Sequence, residues 1–149
     1  MKKGFSLYSI KLVKSKAVPY DSTGVSINNA SIAADVARLY YRGTDREIFS
    51  VLLLNTKNQL IGANIVSVGN LNSSLVHPRE VFKPAILANA FEVILVHNHP
   101  SGDPTPSRAD IEITRRMIQA GDLLDIKVVD HVIIAEDRYV SMREKGLIF

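Results

Sequence analysis

Two histidines and an aspartate in one short stretch have the residue types and the spacing of a metal site. His97 and His99 follow the apolar run 93–96, whose length and branched side chains predict a short buried strand. Because side chains alternate along a strand, both imidazoles project from the same face. Asp110 adds a carboxylate after a turn rich in proline and glycine. Three protein ligands leave a fourth coordination position open to water, which is typical of catalytic rather than structural zinc.

A plainer interpretation exists for each of these residues. Ser107 and Asp110 fit a capping box at the start of a helix, in which the serine is the N-cap and the acid lies three residues further on. The two histidines could be ordinary strand-end residues. The joint pattern favours the metal site, because two of only four histidines in the chain stand two apart at the end of an apolar strand. Ser107 can then cap the helix while Asp110 turns to the metal.

The residue types and spacing resemble a known enzyme motif. His-x-His, seven residues, Ser, two residues and Asp is similar to the JAMM motif of MPN/JAB-domain metallopeptidases. The longer string from His97 to Ser107, HNHPSGDPTPS, is similar to the bacterial RadC-like branch of that group. The resemblance implies that His97, His99 and Asp110 bind Zn²⁺ and that the substrate is a peptide or a protein.

The resemblance covers about residues 28–149 and extends beyond the motif. RadC-like residues recur at positions 70–74, at positions 77–80 and at Asp130 and His131. The implied fold is α/β, a mixed-sheet α/β sandwich of the MPN/JAB (cytidine-deaminase-like) type. We take residues 28–149 as the JAB/MPN domain and residues 1–27 as an N-terminal edge strand or arm. RadC proteins often carry a helix-hairpin-helix region ahead of this domain, and we expect this chain to lack one, so a DNA role attached to that region does not carry over with the resemblance.

The composition is that of one compact domain. The chain has 149 residues, and 46% of them are hydrophobic, which is enough to supply a core. It contains no cysteine, which excludes disulfides, thiolate metal sites and the Pro-Cys-x-x-Cys site of zinc deaminases. No apolar stretch approaches the length that spans a bilayer, and no signal-peptide cleavage pattern follows the first residues. We therefore expect a cytoplasmic protein that does not bind membranes.

Hydrophobic periodicity predicts the elements that position these residues. Strands are expected at residues 5–13, 48–54, 59–68, 126–134 and 139–142, with a further strand that ends at His97 to His99. Helices are expected from a cap at Asn28 or Ser31 to Tyr41, from 78 to 90, and from 108 to 120, where Gly121 stops the last one. The apolar stripe of the first helix is expected to contain Ile32, Val36, Leu39 and Tyr40. The order β-α-β-β-α-β-α-β-β predicts a mixed sheet flanked by helices.

Amide cleavage also needs a group that takes a proton from the attacking water and delivers one to the leaving nitrogen. Strand alternation turns Glu92 to the face opposite His97 and His99. Glu47 stands just before the strand at 48–54, where the residues alone make it an ordinary strand-end charge. In JAMM proteins the catalytic glutamate precedes a similar apolar strand, so the resemblance implies that Glu47 is the general base. Other acids are expected to be helix-end or surface charges, namely Glu80, Asp103 and Glu112.

Three polar residues around the motif need an interpretation. Ser107 has two open roles: as N-cap it accepts a backbone N–H, and as a site residue its hydroxyl donates to the oxyanion of a tetrahedral intermediate, which the resemblance implies. Asn98 lies between the two histidine ligands and is expected to point the other way, as a structural residue. His131, on a late strand far along the chain, is also expected to be structural.

The favoured function is a zinc-dependent, metallopeptidase-type hydrolase that cleaves a peptide or isopeptide bond with a metal-activated water. The alternative is a DNA-repair-associated nucleic-acid-binding module with weak or no catalysis. Arg38, Arg42 and Arg46 recur at four-residue spacing, and five lysines lie within the first 16 residues, which suits phosphate contacts. The net charge of only +3 and the lack of a nucleic-acid motif count against this alternative. A scaffold that keeps the MPN fold without activity is the third possibility.

Overall fold

The structure is a computed structural model of the chain, and it describes residues 4–21, 26–69 and 76–149. In these residues three helices and five strands follow one another. They are α1 (Ala30–Tyr41), β1 (Ile48–Leu54), β2 (Leu60–Val68), α2 (Pro78–Leu87), β3 (Glu92–Asn98), α3 (Arg108–Leu124), β4 (Lys127–Ala135) and β5 (Arg138–Ser141). From the first helix onward, this order is the predicted one.

The five strands form one sheet in the spatial order β2-β1-β3-β4-β5. β3 and β4 run parallel, whereas the other neighbouring strands are antiparallel. A parallel pair needs a long crossover connection, and α3 supplies it. α1 packs on one face of the sheet, and α2 and α3 pack on the other. This mixed-sheet α/β sandwich confirms the predicted fold class.

The central strands β1 and β3 are apolar along most of their length because both of their faces are covered. Phe49, Val51 and Leu95 belong to the core on the α2–α3 side of the sheet. Leu52 and Val96 belong to the core on the α1 side. The same alternation along β3 turns the residue after Val96 toward α3, and that residue is the first histidine of the motif.

The N-terminal arm contains no helix or strand in residues 4–21. The strand predicted over residues 5–13 is therefore not formed, and Phe5 and Leu7 are each 94% exposed. Alternating apolar residues are stabilised as a strand only where a neighbouring strand pairs with their backbone. Among the described residues, the chain first pairs with the sheet at the antiparallel bridge between Ser26 and Gln59.

The helix α1 differs from its prediction at its start and on its buried face. Its N-cap is Asn29, whose side-chain oxygen accepts from the backbone N of Ile32 at 3.0 Å, rather than Asn28 or Ser31. Small side chains dominate the buried face, which consists of Ala30, Ala33, Ala34, Val36, Ala37 and Tyr41. Alanines allow the helix to lie close to the sheet, so Val36 is buried as predicted, whereas Ile32, Leu39 and Tyr40 are only half-buried at its sides.

The helix α3 continues past Gly121 to Leu124. The prediction that this glycine stops the helix was wrong. Gly121 is buried inside α3, at a point where a Cβ atom would collide with the carbonyl oxygen of Ile126. The helix ends at Asp125, which adopts the left-handed conformation with φ 54°. Glycine therefore serves close packing here rather than termination.

No helix in the described ranges combines the length and the apolar character needed to cross a membrane. The cytoplasmic location stays a prediction from the sequence. The RadC-like positions 70–74 lie outside the described residues.

Candidate metal centre

The end of β3 and the start of α3 bring His97, His99 and Asp110 together. His97 Nε2 lies 3.2 Å from Asp110 Oδ1, and His99 Nε2 lies 3.3 Å from Asp110 Oδ2. The two Nε2 atoms are 2.9 Å apart. In the part of the chain that the structure describes, this is the one group of His, Asp or Glu residues in which three donor atoms converge, all within 4.8 Å of one another. The three predicted ligands are thus positioned as possible metal ligands.

Each ligand is positioned by a different part of the backbone. His97 lies near the end of the central strand β3, and its side chain is completely buried. His99 follows the strand, and its backbone N donates to the carbonyl oxygen of Ile134 on β4 at 2.8 Å. The chain then reverses at Gly102, whose φ of 88° favours glycine. Asp110 returns in the first turn of α3.

Asp110 is both a helix cap and a possible ligand. Ser107 Oγ accepts from Asp110 N at 3.1 Å, and Asp110 Oδ2 accepts from Ser107 N at 2.7 Å, which completes a capping box. The same carboxylate faces both histidines. Because the cap fixes the orientation of the carboxylate, helix capping and ligand positioning are one arrangement rather than competing ones.

The geometry and the protons of the group suit a divalent cation. His99 Nδ1 lies 2.8 Å from the carbonyl oxygen of Asp103, which can only accept, so Nδ1 donates. Neutral His99 therefore presents an unprotonated Nε2 to Asp110. Two ligand atoms at about 2.0–2.1 Å from one tetrahedral ion are about 3.3 Å apart. The two Nε2 atoms, 2.9 Å apart, lie slightly closer than that value, and each lies 3.2 or 3.3 Å from a different oxygen of the Asp110 carboxylate.

Charge keeps the carboxylate ionised. Burial by itself raises the pKa of Asp110, but the side-chain contacts with His97 and His99 outweigh it and hold that pKa well below its usual range. The contact with Asp110 raises the pKa of His99, against the opposing effect of burial. Metal ligands bind in their deprotonated forms. In the metal-free protein a proton on His99 therefore competes with a cation for the same carboxylate.

Glu47 immediately precedes β1 and is near enough to the ligand group for its charge to act on His99. Its charge adds to the effect of Asp110 in raising the pKa of His99. Asn98 holds the backbone on both sides of Glu47: its side-chain oxygen accepts from Ile48 N at 2.7 Å, and its side-chain amide donates to the carbonyl oxygen of Arg46 at 2.9 Å. Asn98 is therefore structural, as predicted, and it holds the backbone of Glu47 at the point where β1 begins.

A cleft of about 480 Å³ opens next to Glu47. Its volume falls in the range of about 300–1,000 Å³ that is typical of ligand sites. The residues that line it are Asp45, Arg46, Glu47, Gly69 and Pro100. Pro100 directly follows His99, so the cleft borders both Glu47 and the turn that carries a ligand. Ser107 is exposed, and its hydroxyl oxygen accepts from Asp110 N. The roles of Glu47 as base and Ser107 as oxyanion donor stay predictions.

Sequence reasoning missed two buried neighbours of the ligands. His131 Nε2 lies 2.7 Å from His97 Nδ1, and His131 Nδ1 lies 2.5 Å from Thr114 Oγ1. His131 was predicted to be a structural residue, far along the chain from the motif. It is far only along the chain, because β4 pairs in parallel with β3. Complete burial lowers the pKa of His131 well below its usual range. The ring of Phe49 packs against the imidazoles of His97 and His131. The pair Asp130-His131 was the signal available in the sequence.

One of the three arginines considered for phosphate contacts, Arg38, is already bound to other groups of the same chain. Arg38 pairs with Asp35 at 2.9 Å. Its guanidinium also donates to the carbonyl oxygens of Glu136 and Arg138, each at 3.2 Å. These bonds tie α1 to the turn between β4 and β5. Nucleic-acid binding by the remaining basic residues stays a prediction.

Comparison with protein families gives a match over most of the chain. The family described as "RadC-like JAB domain" matches residues 27–147. This range contains the three possible metal ligands and also Glu47 and Ser107. The resemblance inferred from the motif is confirmed by this match.

Several curated proteins are similar to the chain over the same region. A UPF0758 protein from Desulforamulus reducens is 58% identical over 107 residues, which cover 72% of this chain and 47% of the relative. One from Desulfitobacterium hafniense is 52% identical over 122 residues, covering 82% and 54%. One from Methanosarcina barkeri is 51% identical over 117 residues, covering 76% and 51%. The chain spans about half the length of the curated relatives it matches, and their names state no activity.

Proposed function

Because the chain belongs to the RadC-like JAB domain family, we propose that it is a zinc-dependent hydrolase of the JAMM metallopeptidase type, which cleaves a peptide or isopeptide bond. The observation that carries the proposal is the convergence of His97 Nε2, His99 Nε2 and the Asp110 carboxylate, with separations of 2.9, 3.2 and 3.3 Å. The JAB family includes metalloproteases, and His97, His99 and Asp110 occupy the positions of its JAMM motif.

Zinc is the metal that this set of ligands favours. Two imidazole nitrogens and one carboxylate oxygen suit the borderline-soft character of Zn²⁺. Three protein ligands are also the number found in catalytic zinc sites, where one position is left for water or substrate. When bound, zinc would supply Lewis acidity, which lowers the pKa of a water molecule and stabilises negative charge on a carbonyl oxygen.

Glu47 is the proposed general base and general acid. Its carboxylate accepts a proton from the attacking water as the new C–O bond forms, and it returns the proton to the leaving nitrogen as the C–N bond breaks. Two observations support this role: Glu47 borders the cleft, and its charge contributes to raising the pKa of His99 after the larger effect of Asp110. The backbone clamp by Asn98 supplies the rigidity that a positioned base needs.

Ser107 is the proposed donor to the oxygen that becomes negative when water adds to the carbonyl carbon. Its hydroxyl oxygen already accepts from the backbone N of Asp110 at 3.1 Å. A hydroxyl also carries one proton, which this bond leaves available for donation. The exposed position of Ser107 at the start of α3 keeps that donor accessible to a substrate. The cleft beside Glu47 is where we propose that a peptide or protein chain binds.

The first test is metal content. Elemental analysis of the purified chain should give about one zinc per molecule. A double variant, His97→Ala and His99→Ala, should give none, and its thermal unfolding in a chelator checks that it is folded. Wild-type protein that retains no zinc, even after refolding in its presence, would contradict the proposal.

The second test separates zinc binding from hydrolysis. Zinc-loaded wild type is incubated with a library of proteome-derived peptides and with lysine-linked isopeptides, and new termini are read by mass spectrometry. Glu47→Gln should keep its zinc and lose about 10²–10⁴-fold in cleavage. Glu112→Gln is the matched control, because Glu112 is exposed and pairs with Arg108 on the surface of α3. Full turnover by Glu47→Gln would assign the base elsewhere, and no cleavage by zinc-loaded wild type would contradict the hydrolase.

A further inference from the structure

A chain of three buried side chains runs from the candidate metal centre into the core. His97 Nδ1 lies 2.7 Å from His131 Nε2, and His131 Nδ1 lies 2.5 Å from Thr114 Oγ1. Thr114 Oγ1 in turn lies 2.6 Å from the carbonyl oxygen of Asp110. All three side chains belong to residues with no exposed surface, so water does not replace any of these contacts.

The direction of these hydrogen bonds follows from the last one. A carbonyl oxygen only accepts, so the single hydroxyl proton of Thr114 is donated to Asp110 O. If the hydroxyl turned to His131 instead, two oxygen atoms would stand 2.6 Å apart with no proton between them. The sulfur of Met142, at 3.6 Å, is a weak alternative acceptor. The Thr114 oxygen therefore accepts from His131 Nδ1–H.

The proton positions of the two imidazoles are then linked. A neutral imidazole carries one proton, so His131 with a proton on Nδ1 presents an unprotonated Nε2. That atom can only accept, and the partner at 2.7 Å is His97 Nδ1. His97 therefore carries its proton on Nδ1 and directs the lone pair of Nε2 toward Asp110 and His99, so that a cation, or a shared proton in the metal-free protein, lies between the three groups. In the opposite tautomer a proton on Nε2 would occupy the position that a cation needs.

We infer that Thr114 and His131 are positioning residues for the metal: together they hold His97 in the Nδ1-protonated tautomer that ligates through Nε2. The inference rests on the proposed metal site and adds two residues outside the motif to it. Outer partners that fix the tautomer of a histidine ligand typically change metal affinity by about 10–100-fold. Here the tautomer of His97 is set by the hydroxyl of Thr114, which lies on α3, the same helix that supplies the carboxylate ligand.

The test uses Thr114→Val, which keeps the shape and removes the hydroxyl, and Thr114→Ser, which keeps the hydroxyl. Zinc affinity is measured by competition with a chelator. Thr114→Val should bind zinc about 10–100-fold more weakly, whereas Thr114→Ser should remain within about threefold of wild type. Equal zinc affinity of wild type and Thr114→Val would overturn the inference, as would equal losses in both variants.

A second measurement does not depend on metal or on the variants. Imidazole ¹⁵N shifts of the metal-free wild type, recorded at about pH 8, report which nitrogen of each neutral ring carries the proton. We expect Nδ1–H on both His97 and His131. A proton on Nε2 of His131 would overturn the inference even if Thr114→Val failed to fold. If the wild type bound no zinc, the proposed function would fail while this measurement still decided the direction of the hydrogen bonds.

Discussion

Replacing Asp110 by asparagine should separate its two roles, because an amide oxygen preserves the helix cap but not the charge of a metal ligand. In Asp110→Asn the side-chain oxygen can still accept from Ser107 N, a bond of 2.7 Å in the wild type. Ser107→Ala is the reciprocal change, since it removes the acceptor of Asp110 N and leaves the carboxylate in place. We expect Asp110→Asn to bind zinc about 100-fold more weakly and to keep its metal-free stability. We expect Ser107→Ala to keep its zinc affinity and to lose metal-free stability.

The sizes of these effects can be worked out. Zinc sites contribute about 10–16 kcal/mol over four ligands, so one ligand accounts for about 3 kcal/mol, or about 100-fold in Kd. At free zinc of about 100 times the wild-type Kd, zinc stabilises the wild type by about 2.7 kcal/mol. It stabilises Asp110→Asn, whose Kd then equals the zinc concentration, by only about 0.4 kcal/mol. Ser107→Ala should cost about 1 kcal/mol with or without zinc.

Urea unfolding followed by circular dichroism measures both quantities. Wild type and both variants are compared in chelator and in buffered zinc, at a pH above the pKa of His99, so that no ion pair with Asp110 is lost by the substitution. If Asp110→Asn gained as much stability from zinc as the wild type, Asp110 would be a cap only and the proposed ligand set would be wrong. If Ser107→Ala left the metal-free stability unchanged, the capping box would not contribute in solution.

Three further predictions concern stability. Gly121→Ala should destabilise the protein by about 1–3 kcal/mol in urea unfolding, because the new Cβ atom meets the Ile126 carbonyl oxygen; a gain would show that helix propensity dominates there. Arg38→Lys should cost about 1 kcal/mol, because an ammonium group cannot reproduce the paired bonds to the β4–β5 turn, and it should leave zinc affinity unchanged. The lowered pKa of Asp110 and the raised pKa of His99 make their pair stabilising above about pH 4 and below about pH 6.5, so the metal-free stability of the wild type relative to Asp110→Asn should fall as the pH rises through the raised pKa of His99. A difference between the two proteins that stays constant from about pH 6 to pH 8 would contradict this.

Secondary structure was predictable where the pattern and the environment agree. β1 and β3 are continuous apolar runs because helices cover both faces, and their bounds came out within a residue or two. The strand over residues 5–13 failed because alternation describes one face of a strand and says nothing about a pairing partner. The role of Gly121 was missed for a similar reason: the close approach of α3 to Ile126 is a property of packing, not of the helix itself.

The sequence by itself determined the ligand group, because its geometry is local. A two-residue spacing on a strand puts His97 and His99 on one face, and a short turn and a capping box return Asp110. Only the tertiary structure decided what surrounds them. The charge of Glu47 acts on His99, and His131 contacts His97, because β1 and β4 are the neighbours of β3 in the sheet. Strand order and register depend on which distant segments bury each other, and no local pattern carries that information.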